Sequence, residues 1–241
     1  MSELFDALRD AIKAGRLVTS ATVIAGDHLG ATMLFWPDGR TMGTIGSDGL
    51  TEKVTHRAQE LMNEQRTERF SLEDEEGTSE IFVQVYVPPH KLIVVGAVHI
   101  AIHLVTFANS LGFHTVVVDS RSAFATPERF PHVDELVTQW PADALTELGI
   151  DESTCIVVLT HDEKLDNPAL EVAVRSPARY IGALGSKRTH AKRVTALQEE
   201  SITDEQIARI HAPIGLDLGG RKPEEIAVSI IAEIVAVRNG K

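Results

Sequence analysis

Five short stretches of the chain carry the residue types that bind anions or move protons. They are Gly96-Ala97-Val98-His99, Asp119-Ser120-Arg121, Thr160-His161-Asp162, Gly182 to Arg188 (with Gly185, Ser186 and Lys187) and His211-Ala212-Pro213-Ile214-Gly215. Arg121, Lys187 and Arg188 can hold phosphate, the arginines as forked donors and the lysine as a point charge. His161 and His211 carry the side chain that titrates near neutrality, so they are the candidates for proton transfer. Asp119 ends an apolar run roughly twenty residues beyond the Gly96 turn, the place from which an acid reaches a ribose hydroxyl in a dinucleotide fold.

These stretches need a scaffold that brings them to one rim, and residues 91–121 supply its core unit. Leu92 to Val95 is a buried-strand run that ends in Gly96. A helical pattern follows, with Ile100, Leu104, Val105, Phe107, Ala108 and Leu111 on its apolar side. After Gly112, Thr115 to Val118 forms a second strand run that ends in Asp119. In a G-x-G-x-x-G/A fingerprint the three places fall on Gly96, Val98 and Ala101. Ala101 permits close helix–strand packing. Val98 puts a branched Cβ where a pyrophosphate would approach the backbone, and a β-branched residue resists unusual backbone angles. Strands and helices then alternate to the end of the chain. Cys155 to Leu159 and Tyr180 to Leu184 read as strands; Pro141 to Leu148, Pro168 to Arg175, Lys187 to Glu199 and Pro223 to Arg238 read as helices. The class is α/β, a Rossmann-like parallel sheet whose carboxyl edge gathers all five stretches.

Each stretch also has a plain structural reading. His161-Asp162 can be a strand-end turn with an Asx cap, and Lys187-Arg188 can be solvated charge. Cations at a helix N-terminus nevertheless oppose its dipole, an arrangement that makes sense with an anion between them. His99 and His103 stand one helical turn apart but have no cysteine near them, so no metal site is expected.

The chain has 241 residues, 43% of them hydrophobic and 24% charged, and a formal net charge of −12. That length allows two modest domains, read as residues 1–87 and 91–241 with Pro88-Pro89 at the boundary. The first is a small α+β unit: a helix to about Gly15, a hairpin around Pro37-Asp38-Gly39-Arg40, a helix from about Leu50 to Gln65, and two more strands flanking a charged turn at Glu73 to Gly77. The acidic balance argues against a nucleic-acid partner. No run is long enough to span a membrane, and Met1 to Gly15 is acidic and amphipathic rather than a signal peptide. The single cysteine, Cys155, lies in a strand run and excludes an internal disulfide framework. A cytoplasmic location is the expectation.

Long motifs in the second half resemble a known family. They are Tyr180 to His190, Arg209 to Gly219 and Lys222 to Ile230, joined by Asp119-Ser120-Arg121, Phe124 and Arg129-Phe130-Pro131. The family is XdhC/CoxI, accessory proteins of xanthine dehydrogenase and carbon monoxide dehydrogenase maturation. The resemblance implies a small N-terminal domain before a Rossmann domain, and a maturation factor rather than an enzyme. Its ligand would be molybdenum cofactor or a related pterin dinucleotide. Its partners would be a molybdenum hydroxylase client and a cysteine desulfurase, and it would be a homo-oligomer such as a dimer. Where family members carry G-A-G-H this chain has Gly96-Ala97-Val98-His99, and where they carry a cysteine in the first domain it has Leu50. A leucine has no thiolate to ligate molybdenum or carry sulfur. Two other readings stay open: an NAD(P)-dependent oxidoreductase or redox sensor working through His161 or His211, and a non-catalytic scaffold of the same family.

Overall fold

A computed structural model describes residues 2–74 and 77–241; the middle of the charged turn expected at 73–77 falls outside the described residues. The chain divides into two units, Met1–Pro88 and Pro89–Lys241, and each is taken by itself.

In the first unit α1 (Ser2–Lys13) precedes β1 (Val18–Ala25), β2 (Thr32–Phe35) and β3 (Thr41–Gly43). Then come α2 (Asp48–Asn63), β4 (Glu68–Asp74) and β5 (Gly77–Tyr86). The strands form one antiparallel sheet in the order β3-β2-β1-β5-β4. Strand alternation sends Ala21, Val23, Met33 and Phe35 to one face, where they pack with Leu50, Val54, Ala58 and Leu61 of α2. Val18, Leu34 and Trp36 point to the other face, against Leu4, Leu8 and Ala11 of α1. Leu50 is therefore a core residue, 1% exposed.

The second unit is a six-stranded sheet in which every pairing is parallel. Its elements are β6 (Lys91–Val95), α3 (His99–Ser110), β7 (His114–Val118), β8 (Glu135–Val137), α4 (Pro141–Glu147) and β9 (Thr154–Val158). There follow α5 (Glu163–Arg175), β10 (Tyr180–Ala183), α6 (Lys187–Glu199), α7 (Asp204–Ile207), β11 (Ile210–His211) and α8 (Pro223–Arg238). The strand order is β11-β10-β9-β6-β7-β8, so the winding reverses between β6 and β9. That reversal opens a crevice at the carboxyl edge of the sheet, where such folds bind ligands. Both faces are covered, which explains why the strands read as continuous β-branched runs rather than alternating ones. Leu92 and Val94 pack on the layer that contains α3 and α8. Ile93 and Val95 pack on the layer that contains α4 and α5.

Three elements differ from expectation. Helix α5 begins at Glu163, five residues before the expected start at Pro168. The Asp162 side chain accepts from the Lys164 N–H and caps it, and Leu165 joins Ala169, Leu170 and Ala173 in the core, outweighing the one bond that Pro168 forfeits. Helix α7 is held by a reciprocal cap between Thr203 and Gln206, a pattern carried by two polar residues in a short loop. The stretch at His211 begins in a two-residue strand, β11, rather than in a loop throughout. Among the described residues no helix is long and apolar enough to cross a membrane.

Candidate functional site

The crevice between β6 and β9 is built first by Gly96. Its φ is +110°, and a Cβ there would meet Thr160 Cγ2 at 2.9 Å and Thr160 N at 3.1 Å. Glycine is thus needed for two strand-end turns to touch. Val98 follows at φ −90° and ψ 173°, ordinary extended backbone, so the expected conformational strain is absent. It is the N-cap of α3 and supplies no side-chain cap, while its side chain packs partly on the core. His99, the first residue of the helix, is exposed.

Asp119 is wholly buried and does not stand open to a ribose. Its Oδ2 accepts from the Ala97 N–H at 2.8 Å and from Arg121 Nη2 at 2.7 Å. Its Oδ1 accepts from the Arg121 N–H at 2.9 Å and from Arg121 Nε at 2.8 Å. All four acceptor positions of the carboxylate are filled by the protein. Burial alone would raise its pKa; these hydrogen bonds outweigh burial and hold it below the usual carboxylate range. Arg121, turned back onto Asp119, occupies the carboxylate that the dinucleotide reading would place on a ribose. The guanidinium also lies over the Phe124 ring, 4.6 Å from its centre.

At the tip of β9, the Thr160 hydroxyl donates to Asp166 Oδ1 at 2.6 Å and accepts from the Asp162 N–H at 3.0 Å. His161 is exposed, with φ +61°. Asp166 is paired with the buried Arg193 at 3.3 Å, and Arg193 also reaches the Leu184 carbonyl at 3.4 Å. Burial raises the Asp166 carboxyl, only partly offset by Thr160 and Arg193. Neither Arg193 nor Asp166 was singled out from sequence: Arg193 follows Lys187, Arg188 and Lys192 and reads there as one more solvated charge.

On the far side of the crevice the loops after β10 and β11 meet α8. Lys187, Leu184, Pro213, Gly215, Arg221 and Ser229 are among the residues lining a cleft of about 700 Å³ there. Gly215 is at φ +87° and its added Cβ would meet Ser229 Oγ at 2.5 Å; at Gly182 it would meet Ile214 Cδ1 at 2.5 Å. Both glycines serve packing. Gly185, at φ +147°, turns the chain into α6, whose N-cap is Ser186 accepting from the Thr189 N–H at 3.1 Å. Lys187 and Arg188 are exposed; Lys187 lines the cleft and Arg188 is not among its lining residues. His211 Nδ1 is 3.2 Å from Glu233 Oε1, and its ring stacks on Tyr180 with centroids 4.6 Å apart. Glu233 is a residue that sequence reasoning missed. Its signal was present, since it is the lone charge in the apolar run from Ile226 to Val237.

The structure thus separates the sequence-level candidates into two groups. Ala97, Asp119 and Arg121 form a hydrogen-bonded lip after β6 and β7, with Gly96 packed closely against Thr160 at the end of β9. Gly182, Lys187, His211, Pro213 and Gly215 belong to the β10–β11–α8 side. Cys155 takes no part in either. It is buried in β9, and burial pushes its thiol up to about 12.

A doubly wound Rossmann domain, with a cleft of mixed polar and apolar lining at its carboxyl edge, is the class that fold and site define. Residues 92–234 match the XdhC Rossmann domain, and residues 11–73 match the XdhC and CoxI family. The chain belongs to that family. It is 30% identical over 221 residues to the uncharacterized protein YqeB of Escherichia coli, covering 87% of this chain and 40% of that protein. It is 29% identical over 234 residues to a protein of Bacillus subtilis named as a probable xanthine dehydrogenase component, covering 97% of this chain and 64% of that one. A stretch of 99 residues is 36% identical to the molybdenum cofactor insertion chaperone PaoD of Escherichia coli, covering 41% of this chain and 30% of that protein. The chain therefore spans less than two thirds of the length of these curated relatives. A crystal structure described as a xanthine dehydrogenase from Bacillus halodurans shares the fold, with a TM-score of 0.60 at 23% identity over 98% of this chain and 96% of that one.

Proposed function

We propose that the chain is a maturation factor that holds molybdenum cofactor by its organic part and delivers it to a xanthine dehydrogenase-type molybdenum hydroxylase. The observation that carries this reading is the cleft at the β10–β11–α8 side. Its volume of about 700 Å³ suits a pterin-sized guest. Lys187 and Arg221, which line it together with Asp217 and Glu225, would meet the guest's phosphate. The names of two family relatives, one a cofactor insertion chaperone and one a probable xanthine dehydrogenase component, support the same reading.

The donor set fits a pterin phosphate and not a protein–metal bond. Leu50 is packed into the first unit's core, and the one cysteine is buried and held as a thiol. Sulfur for the cofactor would have to come from a partner with a reactive thiol, such as a cysteine desulfurase. The saturated Asp119 counts against the NAD(P) oxidoreductase reading, which needs that carboxylate on a ribose. Fluorescence of the oxidised pterin released from protein made in cofactor-producing cells tests the proposal. We expect pterin with the wild-type chain, and roughly tenfold weaker retention, about 1.4 kcal/mol, in Lys187→Ala and Arg221→Ala. Absence of pterin, or a nicotinamide nucleotide in its place, would overturn it.

A further inference from the structure

Helix α8 fastens both ends of the loop that lines the cleft, and it does so with residues four apart on one face, Glu225, Ser229 and Glu233. At one end the Gly215 N–H donates to Glu233 Oε2 at 2.8 Å, an oxygen that also accepts from the Tyr180 hydroxyl. The Leu216 N–H donates to the Ser229 carbonyl at 3.2 Å. At the other end Glu225 Oε2 accepts from the Arg221 N–H at 2.9 Å and from the Lys222 N–H at 3.1 Å. These two donors, Lys222 first, hold the Glu225 carboxyl below the usual carboxylate range. Gly220 rests on the same side chain, where an added Cβ would meet Glu225 Cβ at 2.6 Å. Between the anchors residues 217–220 are exposed, and among the described residues their backbone makes one hydrogen bond, from the Leu218 N–H to the Leu216 carbonyl.

The Lys222 bond belongs to the cap that starts α8, in which an acid three residues in accepts from the capping N–H. The Arg221 bond is additional to that cap, and it fixes the backbone of the arginine that lines the cleft. We propose that Glu225 is a positioning residue, which by holding the Arg221 N–H presets that arginine for the anionic group of the guest. This rests on the carrier reading and assigns how its phosphate contact is preorganised. Without the anchor the Gly219-Gly220 stretch would have to be ordered when the guest binds, and affinity falls by that cost. By charge alone, a carboxylate beside an anion site repels the guest. Position and charge therefore predict opposite signs when Glu225 is replaced.

Titration calorimetry of the full chain, with inorganic phosphate and with neopterin monophosphate as probes, reads that sign. Glu225→Gln keeps an acceptor oxygen and loses the charge, and should bind inorganic phosphate about twofold more tightly than the wild type. Glu225→Ala loses both and should bind it about fivefold more weakly. Arg221→Ala keeps the backbone N–H and removes only the guanidinium, so Glu225→Ala should cause no further weakening in that background. Urea midpoints on the same proteins show that each is folded during the titration, so that a lost helix cap is not read as lost affinity. Glu225→Ala binding phosphate as tightly as Glu225→Gln, or weakening it as much without Arg221 as with it, overturns the proposal while the carrier reading survives. A wild type that binds inorganic phosphate but gains nothing from the pterin sinks the carrier reading and leaves the anchor standing. A wild type that binds neither probe takes down both.

Discussion

The Ala97 N–H donates to Asp119 Oδ2 over 2.8 Å, which ties the turn after β6 to the tip of β7. In a dinucleotide-binding sheet those two places contact the ligand separately; here they are bonded to each other and locked by Arg121. The acid has been taken from the ligand and given to the scaffold. On the carrier reading, ligand recognition falls to the β10–β11–α8 side, where Lys187 and Arg221 line the cleft.

Asp119 should therefore behave as a stability residue. Asp119→Ala leaves the buried Ala97 N–H without an acceptor, a loss of about 1–3 kcal/mol. Arg121, 34% exposed, can turn to water and adds less. Urea unfolding should show this drop, while phosphate binding at the Lys187 cleft stays within twofold of wild type. A large loss of ligand affinity with unchanged stability would restore the ribose-acid role.

Gly96→Ala should cost about 1–3 kcal/mol, from a side chain forced to a positive φ, with further loss from the contact at 2.9 Å with Thr160 Cγ2. Adding Thr160→Ser removes that methyl and should return only the contact part, because the nearby Thr160 and Leu159 backbone atoms do not move away. Unfolding midpoints of the two variants separate these contributions. Full recovery in the double variant would show that φ carries no cost here.

The parallel sheet was legible because its signals are local and redundant. Leu92 to Val95, Thr115 to Val118 and Cys155 to Leu159 are apolar runs of strand length, each with a turn residue at its carboxyl end. The gathering of polar loops followed from topology alone. What could not be read was which polar groups bond each other. Asp119 and Arg121 stand two residues apart, and nothing in that spacing says the arginine folds back onto the acid rather than outward. Glu233 and His211 are distant in sequence and meet only because α8 packs across the end of the sheet. Arg193 and Asp166 lie on adjacent helices, and their burial depends on how α5 and α6 pack.

Asp119 and Asp166 are both buried beside arginines, yet their pH signatures should be opposite. Asp119 receives four well-formed donors, so its folded pKa lies below the unfolded value of about 3.9. Its contribution is present above that value and is lost as pH falls through the depressed folded pKa. Asp166 receives one hydroxyl at 2.6 Å and one guanidinium contact at 3.3 Å. Burial wins there, and the folded pKa is raised. Its contribution is fully present below about pH 3.9 and declines as pH rises through the raised folded value. Asp119→Asn should therefore flatten the acid limb of the stability curve, and Asp166→Asn should flatten the decline on the other side. Asp166→Asn also strands the buried Arg193 charge, at a cost of about 3–5 kcal/mol near neutrality. Replacing the pair together by Leu at 166 and Met at 193 should recover most of that loss. Urea midpoints measured from pH 3 to pH 7 on the four proteins decide the matter. Identical pH slopes for Asp166→Asn and wild type would mean that Arg193 holds Asp166 far better than one contact at 3.3 Å allows.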